Sequence, residues 1–302
     1  MRVLNFGSLN IDYVYPVDHI IIPGETEPTG EVTANCGGKG LNQSIALARA
    51  GVKVCHAGLI GEEGQILADK LAESGADTRH VRCIPGRSGH TIIQVDKNGQ
   101  NSILLFGGAN RKLTHEFINE TLSDFGEGDI LLLQNEVNLL DVIIDKAFEA
   151  RMKIILNPSP YDTAIQKCDL SKVSVFILNE IEGEQMTGQK EPDKILNAIK
   201  KSYPETETVL TLGSAGAVYQ NREERHSCGI CRVKPVDTTA AGDTFTGYFI
   251  SAMIDALSPE EGLKLASKAS AIAVTRNGAA DSIPEREEVL GSGLDPEPMR
   301  LL

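Results

Sequence analysis

The run Asp237-Thr238-Thr239-Ala240-Ala241-Gly242-Asp243-Thr244-Phe245 combines the residue types that phosphoryl chemistry needs. Small residues lead into a helical pattern whose apolar face takes Phe245, Phe249 and Met253. The N–H groups of Ala241, Gly242 and Asp243 would fall in its first turn, where no intrahelical carbonyl is available to them. The helix dipole favours negative charge at the same place. Gly242 lets a ligand come close. Asp243 then stands beside an anion-binding backbone, where a carboxylate could take a proton from an attacking hydroxyl. Plain helix capping is the simpler role for such an acid.

A second cluster is Gly37-Gly38-Lys39-Gly40-Leu41-Asn42-Gln43. Its glycines permit close backbone contact, and Lys39 and Asn42 offer donors to hydroxyls. The spacing is not that of the P-loop, because Gly40 follows the lysine. No G-x-G-x-x-G follows the first apolar run, which counts against a dinucleotide-dependent oxidoreductase. Asn10 and Asp12 alternate with Leu9 and Ile11, so both could face one side of a strand. They form either a hydroxyl clamp or an ordinary turn.

Short apolar runs alternate with helical patterns to position these residues. Strands are expected at Val3 to Phe6, Val52 to Ile60, Ile130 to Leu133, Lys153 to Leu156, Val175 to Leu178 and Thr208 to Leu212. Helices are expected at Ser44 to Ala50, Glu63 to Ser74, Leu139 to Ala150, Ala241 to Ala256 and Pro259 to Arg276. Continuous apolar strands between helices imply an α/β fold, a mostly parallel sheet covered on both faces. Its ligands bind beyond the carboxyl ends of the strands. Two stretches break the rhythm. Asp12 to Val32 is rich in β-branched residues, Pro and Gly. Thr91 to Val95 and Ser102 to Phe106 flank Asn98-Gly99, a strong hairpin signal. Together they predict a small antiparallel lid, about 12–35 and 88–108, that would exclude water. The tail from Glu285 to Leu302 reads as peripheral.

The chain has 302 residues, 41% of them apolar, enough for one large core and a single domain spanning 1–302. A net charge of −13 argues against nucleic acid or an anionic membrane as partner. The opening MRVLNFGSLNID does not read as a signal peptide, and no run of about 18 apolar residues occurs. A cytoplasmic address is expected. Six scattered cysteines look like reduced thiols, and Cys228-x-x-Cys231 lacks the second pair a zinc site needs.

Over Val3 to about Pro284 the chain resembles the ribokinase-type sugar kinases of the phosphofructokinase-B family. GGKGLNQ at Gly37 to Gln43 and DTTAAGDTF at Asp237 to Phe245 match its two signatures in order. The resemblance implies a ribokinase-like fold and transfer of phosphate from ATP to the primary (O5) hydroxyl of D-ribose. It implies that Asn10, Asp12, Gly38, Lys39, Asn42, Glu136 and Asp243 bind the sugar. Asn179, Thr211, Gly213, Ser214, Gly216, Ala241 and Gly242 would bind ATP, and Asp243, Gly242 and Ala241 would serve catalysis. Glu182, in the N-x-x-E pattern begun by Asn179, would hold Mg2+ largely through water. Asp237, Thr239, Ala273, Arg276, Gly278 and Ser282 would surround K+, mostly by backbone carbonyls. Relatives' lids often pair edge to edge, so a homodimer through the lid is one expectation. His90 stands in the lid where a smaller or apolar residue is expected. Other readings are a kinase of the same fold acting on a nucleoside, deoxyribose or another sugar, and a catalytically silent sugar-binding protein.

Overall fold

The computed structural model describes residues 1–299. The strands are β1 (Val3–Phe6), β2 (Asn10–Pro16), β3 (Thr33–Gly37), β4 (Val54–Ile60), β5 (Asp77–Cys83), β6 (Gly89–Val95), β7 (Asn101–Phe106), β8 (Ile130–Gln134), β9 (Lys153–Asn157), β10 (Val175–Asn179), β11 (Glu207–Thr211), β12 (Ala217–Gln220) and β13 (Arg225–Cys228). The α-helices are α1 (Lys39–Arg49), α2 (Gln65–Glu73), α3 (His115–Leu122), α4 (Leu140–Glu149), α5 (Glu180–Thr187), α6 (Pro192–Ser202), α7 (Ala241–Ile254), α8 (Pro259–Ala273) and α9 (Arg286–Gly291).

Nine strands form the main sheet in the order β13-β12-β11-β10-β9-β8-β1-β4-β5. Pairing is parallel from β5 to β11 and antiparallel at the β12–β13 edge. The order reverses at β1, which lies between β4 and β8, so a crevice opens beyond the carboxyl ends of β1 and β8. Alternation sorts the side chains. Val3, Ile130 and Leu132 join one core with α1, α7 and α8, while Leu4, Phe6, Leu131 and Leu133 join the other with α3, α4 and α6. Both faces are therefore covered, which is why the central strands read as unbroken apolar runs.

The second sheet has the order β3-β2-β6-β7. The hairpin β6–β7 turns at Gly99, whose φ of 78° suits glycine. Two antiparallel pairs, β2–β3 and β6–β7, are joined by a parallel pairing of β2 with β6, so this sheet is antiparallel-rich and not purely antiparallel. The parallel join arises because β4, α2 and β5 of the main sheet intervene in the chain between the two pairs.

The tail is less peripheral than its composition suggests. Val289 of α9 is buried, and Arg286 donates to the Ala50 carbonyl at 2.8 Å. Gly229 N–H donates to the Glu297 carbonyl at 3.0 Å. Val289 and Leu294 pack into the core that holds α7 and α8, whereas Leu290 is exposed; residues 300–302 lie outside the described part.

Candidate active site

The turn between β1 and β2 meets the start of α1 at backbone contact. A Cβ on Gly40 would lie 2.3 Å from the Ser8 nitrogen, and one on Gly38, at φ 96°, would lie 3.1 Å from the Ser8 carbonyl oxygen. Only glycine allows this approach. It places Lys39 and Asn42 at the crevice. Glu136, two residues past β8, accepts from the Ser8 hydroxyl and, at 3.1 Å, from the Lys39 N–H. Burial pushes the Glu136 carboxyl up from its ordinary range. Burial pushes the Lys39 ammonium down, but Asp243, Glu136 and Glu182 more than offset this, so it stays charged.

Asp12 lies on β2 with its carboxylate against Gly37, where a Cβ would sit 1.9 Å from Oδ2. Thr91 of β6 donates to Asp12 Oδ1 at 2.6 Å. Burial, opposed by that bond and reinforced by Glu136, raises the Asp12 carboxyl to about 6. Asn10 is fixed by Asn110, whose Nδ2 donates to Asn10 Oδ1 at 2.8 Å. His90 sits one residue from Thr91, hence on the opposite face, and packs on Tyr13 and Phe106.

Asp243 is buried in the first turn of α7. Asn42 Nδ2 donates to its Oδ2 at 3.0 Å, and Gln43 Nε2 donates to its Oδ1 at 2.9 Å. Asn42 Oδ1 is buried without a hydrogen-bond partner, an acceptor that a ligand hydroxyl would satisfy. The helix has no side-chain cap, and Ala240 before it takes the left-handed conformation at φ 59°. Contrary to the expectation of three free amides, Ala241 N–H turns back to the Thr238 carbonyl at 3.3 Å. The left-handed residue produces this tight turn and leaves the Gly242 and Asp243 amides as the principal free donors. A cleft of about 250 Å³ joins Lys39, Asn179, Glu182, Thr211, Ala241, Gly242 and Asp243.

The remaining residues expected to bind ATP divide. Gly213 and Ser214 open a 3-10 turn one residue beyond Thr211, with open space at Gly213. Gly216 packs instead: its Cβ would lie 2.1 Å from the Cys228 carbonyl oxygen. Glu182 and Asn179 form a reciprocal capping box, Glu182 Oε2 accepting from Asn179 N–H at 3.0 Å and Glu182 N–H donating to Asn179 Oδ1 at 2.9 Å. Both Glu182 oxygens are engaged but keep further lone pairs. They fit a hydrated Mg2+, which retains its waters readily.

Asp237 ties two loops, accepting from Thr239 N–H at 2.9 Å and from Gly278 N–H at 2.9 Å. Burial opposes its charge, but these bonds hold its carboxyl below the usual range. It forms no ion pair among the described residues. Ser282 donates to the Ala279 carbonyl at 2.9 Å, and Arg276 N–H donates to the Ala273 carbonyl at 3.1 Å. The Arg276 side chain pairs with Glu288, so only its backbone is left for an ion. A carboxylate without a basic partner among the described residues suits a hard cation such as K+.

Ser8, Gln43, Thr91, Asn110 and Asn157 carry contacts that the sequence reading gave no role. Asn157 had a signal, a polar residue ending an apolar strand. Thr91 and Asn110 had none, since their partners lie far along the chain.

The pfkB family carbohydrate kinase model matches residues 2–286. The chain belongs to that family. This carbohydrate kinase is 36% identical to a ribokinase of Haemophilus influenzae over 295 residues, 94% of this chain and 95% of the other. It is 31% identical to a deoxyribokinase of Salmonella typhi, covering 95% of this chain and 97% of the other. A structure of Arabidopsis thaliana ribokinase complexed with ribose and ATP superposes with a TM-score of 0.86 at 29% identity, covering 96% of this chain and 97% of that one. The ribokinase-like fold, the mostly parallel sheet and its small companion sheet follow the expectation.

Proposed function

We propose that the chain transfers the γ-phosphate of ATP to the primary O5 hydroxyl of D-ribose, with Asp243 as general base. The observation that carries this reading is the placement of one buried carboxylate. Asp243 is held by Asn42 at the sugar side and lines the same cleft as the free amide of Gly242. Phosphoryl transfer needs that pairing, a positioned proton acceptor beside donors that stabilise the moving charge. The ribose named in the Haemophilus relative and in the Arabidopsis complex supports the choice of sugar.

On this reading the sugar lies between the smaller sheet and the start of α1. Asn10, Asp12, Gly38, Asn42 and Glu136 orient its ring hydroxyls, and Lys39 offsets the charge around it. ATP lies along Asn179, Thr211 and the Gly213–Ser214 turn. Asp243 accepts the O5 proton as the hydroxyl attacks, and the Gly242 and Asp243 amides, with Ala241 beside them, hold the phosphoryl oxygens. Magnesium, held through water by Glu182, would neutralise phosphate charge. Potassium, among Asp237, Thr239, Ala273, Arg276, Gly278 and Ser282, would order the loop before α7.

The chain acts as one unit over 1–302, with 12–35 and 88–108 as the lid. The outer lid strand β7 exposes Ile103, Leu104, Leu105 and Phe106, an unpaired apolar edge of the kind that seeks cover. A homodimer through the lid would provide it; a monomer in sedimentation runs at assay concentration rules it out. The cytosol, where six unbridged thiols stay reduced, is the matching address.

A coupled ATP-consumption assay over ribose, deoxyribose, other pentoses and nucleosides, with and without potassium, tests the reading. Ribose should give the highest kcat/KM. Preference for deoxyribose would favour the reading suggested by the Salmonella relative. Asp243→Asn should lower kcat about 10²–10⁴-fold with substrate binding retained; an unchanged kcat removes the base.

A further inference from the structure

Gln43 follows Asn42 in the turn that opens α1, yet its side chain points away from solvent and is fully buried. Both polar atoms of its amide, and both amide hydrogens, are engaged. One Nε2 hydrogen goes to Asp243 Oδ1 at 2.9 Å and the other to Asn157 Oδ1 at 3.0 Å. Its Oε1 accepts from Gln134 Nε2 at 2.7 Å. Asn157 closes β9 and donates to the Ile177 carbonyl on β10 at 2.8 Å. Gln134 closes β8 and also donates to Asn5 Oδ1 at 3.1 Å. Asn5 donates in turn to Ser44 Oγ at 2.8 Å, which pairs with His56 Nδ1 at 2.8 Å. The carboxylate of α7 is thus tied through one amide to five strands, β1, β4, β8, β9 and β10.

We propose that Gln43 is the positioning residue for the base, a reading that rests on Asp243 serving as that base. A carboxylate at a helix start has several staggered rotamers open to it. Asn42 takes Oδ2 from the sugar side; Gln43 takes Oδ1 from the sheet side. With both oxygens engaged, the group enters the reaction already aimed. The orientation of Gln43 is itself imposed: reversing its amide would set Nε2 against the Gln134 donor and Oε1 against two acceptors. Gln134 and Asn157 therefore act at one further remove, through Gln43. Because β8 and β9 are neighbours in register, with Gln134 opposite Asn157, the two anchors of Gln43 form a rigid pair.

This arrangement separates two roles. Asn42 touches both sugar and base, so its loss should raise the sugar KM as well as lower kcat. Gln43 touches no substrate, so its loss should act on kcat alone. Gln43→Met keeps the length and removes the donors. The expected result is a kcat lower by about 10–100-fold, the size of one hydrogen bond to a charged group. KM for ribose and for ATP should stay within about threefold.

The deciding measurement is a double-mutant cycle with Asp243→Asn, run on full-length protein whose folding is checked by circular dichroism and by ADP binding in calorimetry. If Gln43 acts through the base, Gln43→Met should cost almost nothing further in the Asp243→Asn background. Full additivity, or a kcat for Gln43→Met equal to the parent's, overturns the proposal. Should Gln43→Met fail to fold, Gln134→Met reads the same coupling one bond further out. Its kcat should fall about 3–10-fold with KM unchanged and should also be non-additive with Asp243→Asn; an unchanged kcat there overturns the proposal equally. The two readings fail separately. An Asp243→Asn variant with full kcat sinks the base, whereas a collapsed Asp243→Asn beside an unimpaired Gln43→Met sinks only the positioning role.

Discussion

Replacing Gly242 by alanine should move stability and activity in opposite directions. Gly242 lies in the first turn of α7, outside the left-handed region that favours glycine, and a Cβ there would meet no atom within 4 Å. The protein therefore imposes no steric penalty. Alanine reduces the freedom of the unfolded chain and is the better helix former, so the variant should be more stable by about 0.4–1 kcal/mol. The open space, however, is the cleft shared with Asp243 and Lys39. A methyl group there occupies the approach to the free Gly242 amide and keeps a phosphoryl oxygen from reaching it. Losing one such donor typically lowers kcat by about 10²–10³-fold. Urea unfolding gives the first quantity and the ATP-consumption assay the second. A more stable protein with an undiminished kcat/KM would mean that no phosphate comes near this helix start, and the argument from free amides would be wrong.

Two pH effects follow from buried groups. Asp12 takes up a proton as the pH falls through about 6, and a protonated carboxyl loses acceptor capacity for hydroxyls. The sugar KM should therefore rise by up to about tenfold per unit below that point while the ATP KM stays level; Asp12→Asn should abolish the trend, and a flat sugar KM between roughly pH 7.5 and 5 removes Asp12 from the sugar site. His56 is fully buried, and desolvation, opposed only by the Gly7 carbonyl, lowers its proton affinity to about 4. The unfolded chain then binds the proton first, so stability is complete above about 6.5 and declines as pH falls towards 4, by at most about 3 kcal/mol. Urea unfolding of parent and His56→Gln protein at both ends of that window should show a steeper loss for the parent; parallel curves would contradict it.

Local chemistry reached far in this chain. The runs Ile130 to Leu133 and Val175 to Leu178 announced central parallel strands because both faces are covered, which leaves only apolar residues. Asn98-Gly99 announced its hairpin because the turn demands positive φ. The strand Asp77–Cys83 was missed: it is the sheet's edge and half exposed, so its polar residues hide it. The Asn179-Glu182 box shows the converse difficulty. Its pattern was legible as a proposed magnesium ligand set, but the two side chains are engaged with each other in a local capping box that the pattern alone does not reveal.

By itself the sequence determined the central strands and the main helices, their order, and the two glycine-bearing turns, since propensity, period and backbone freedom act over a few residues. Only the tertiary structure decided which oxygen of Asp243 meets Asn42 and which meets Gln43, that Thr91 grips Asp12, and that Ala241 spends its amide on Thr238. Those pairings join residues up to 201 positions apart, or hinge on one left-handed residue. They are selected by burial, where an unpaired polar group is costly, and burial is a property of the packed chain as a whole.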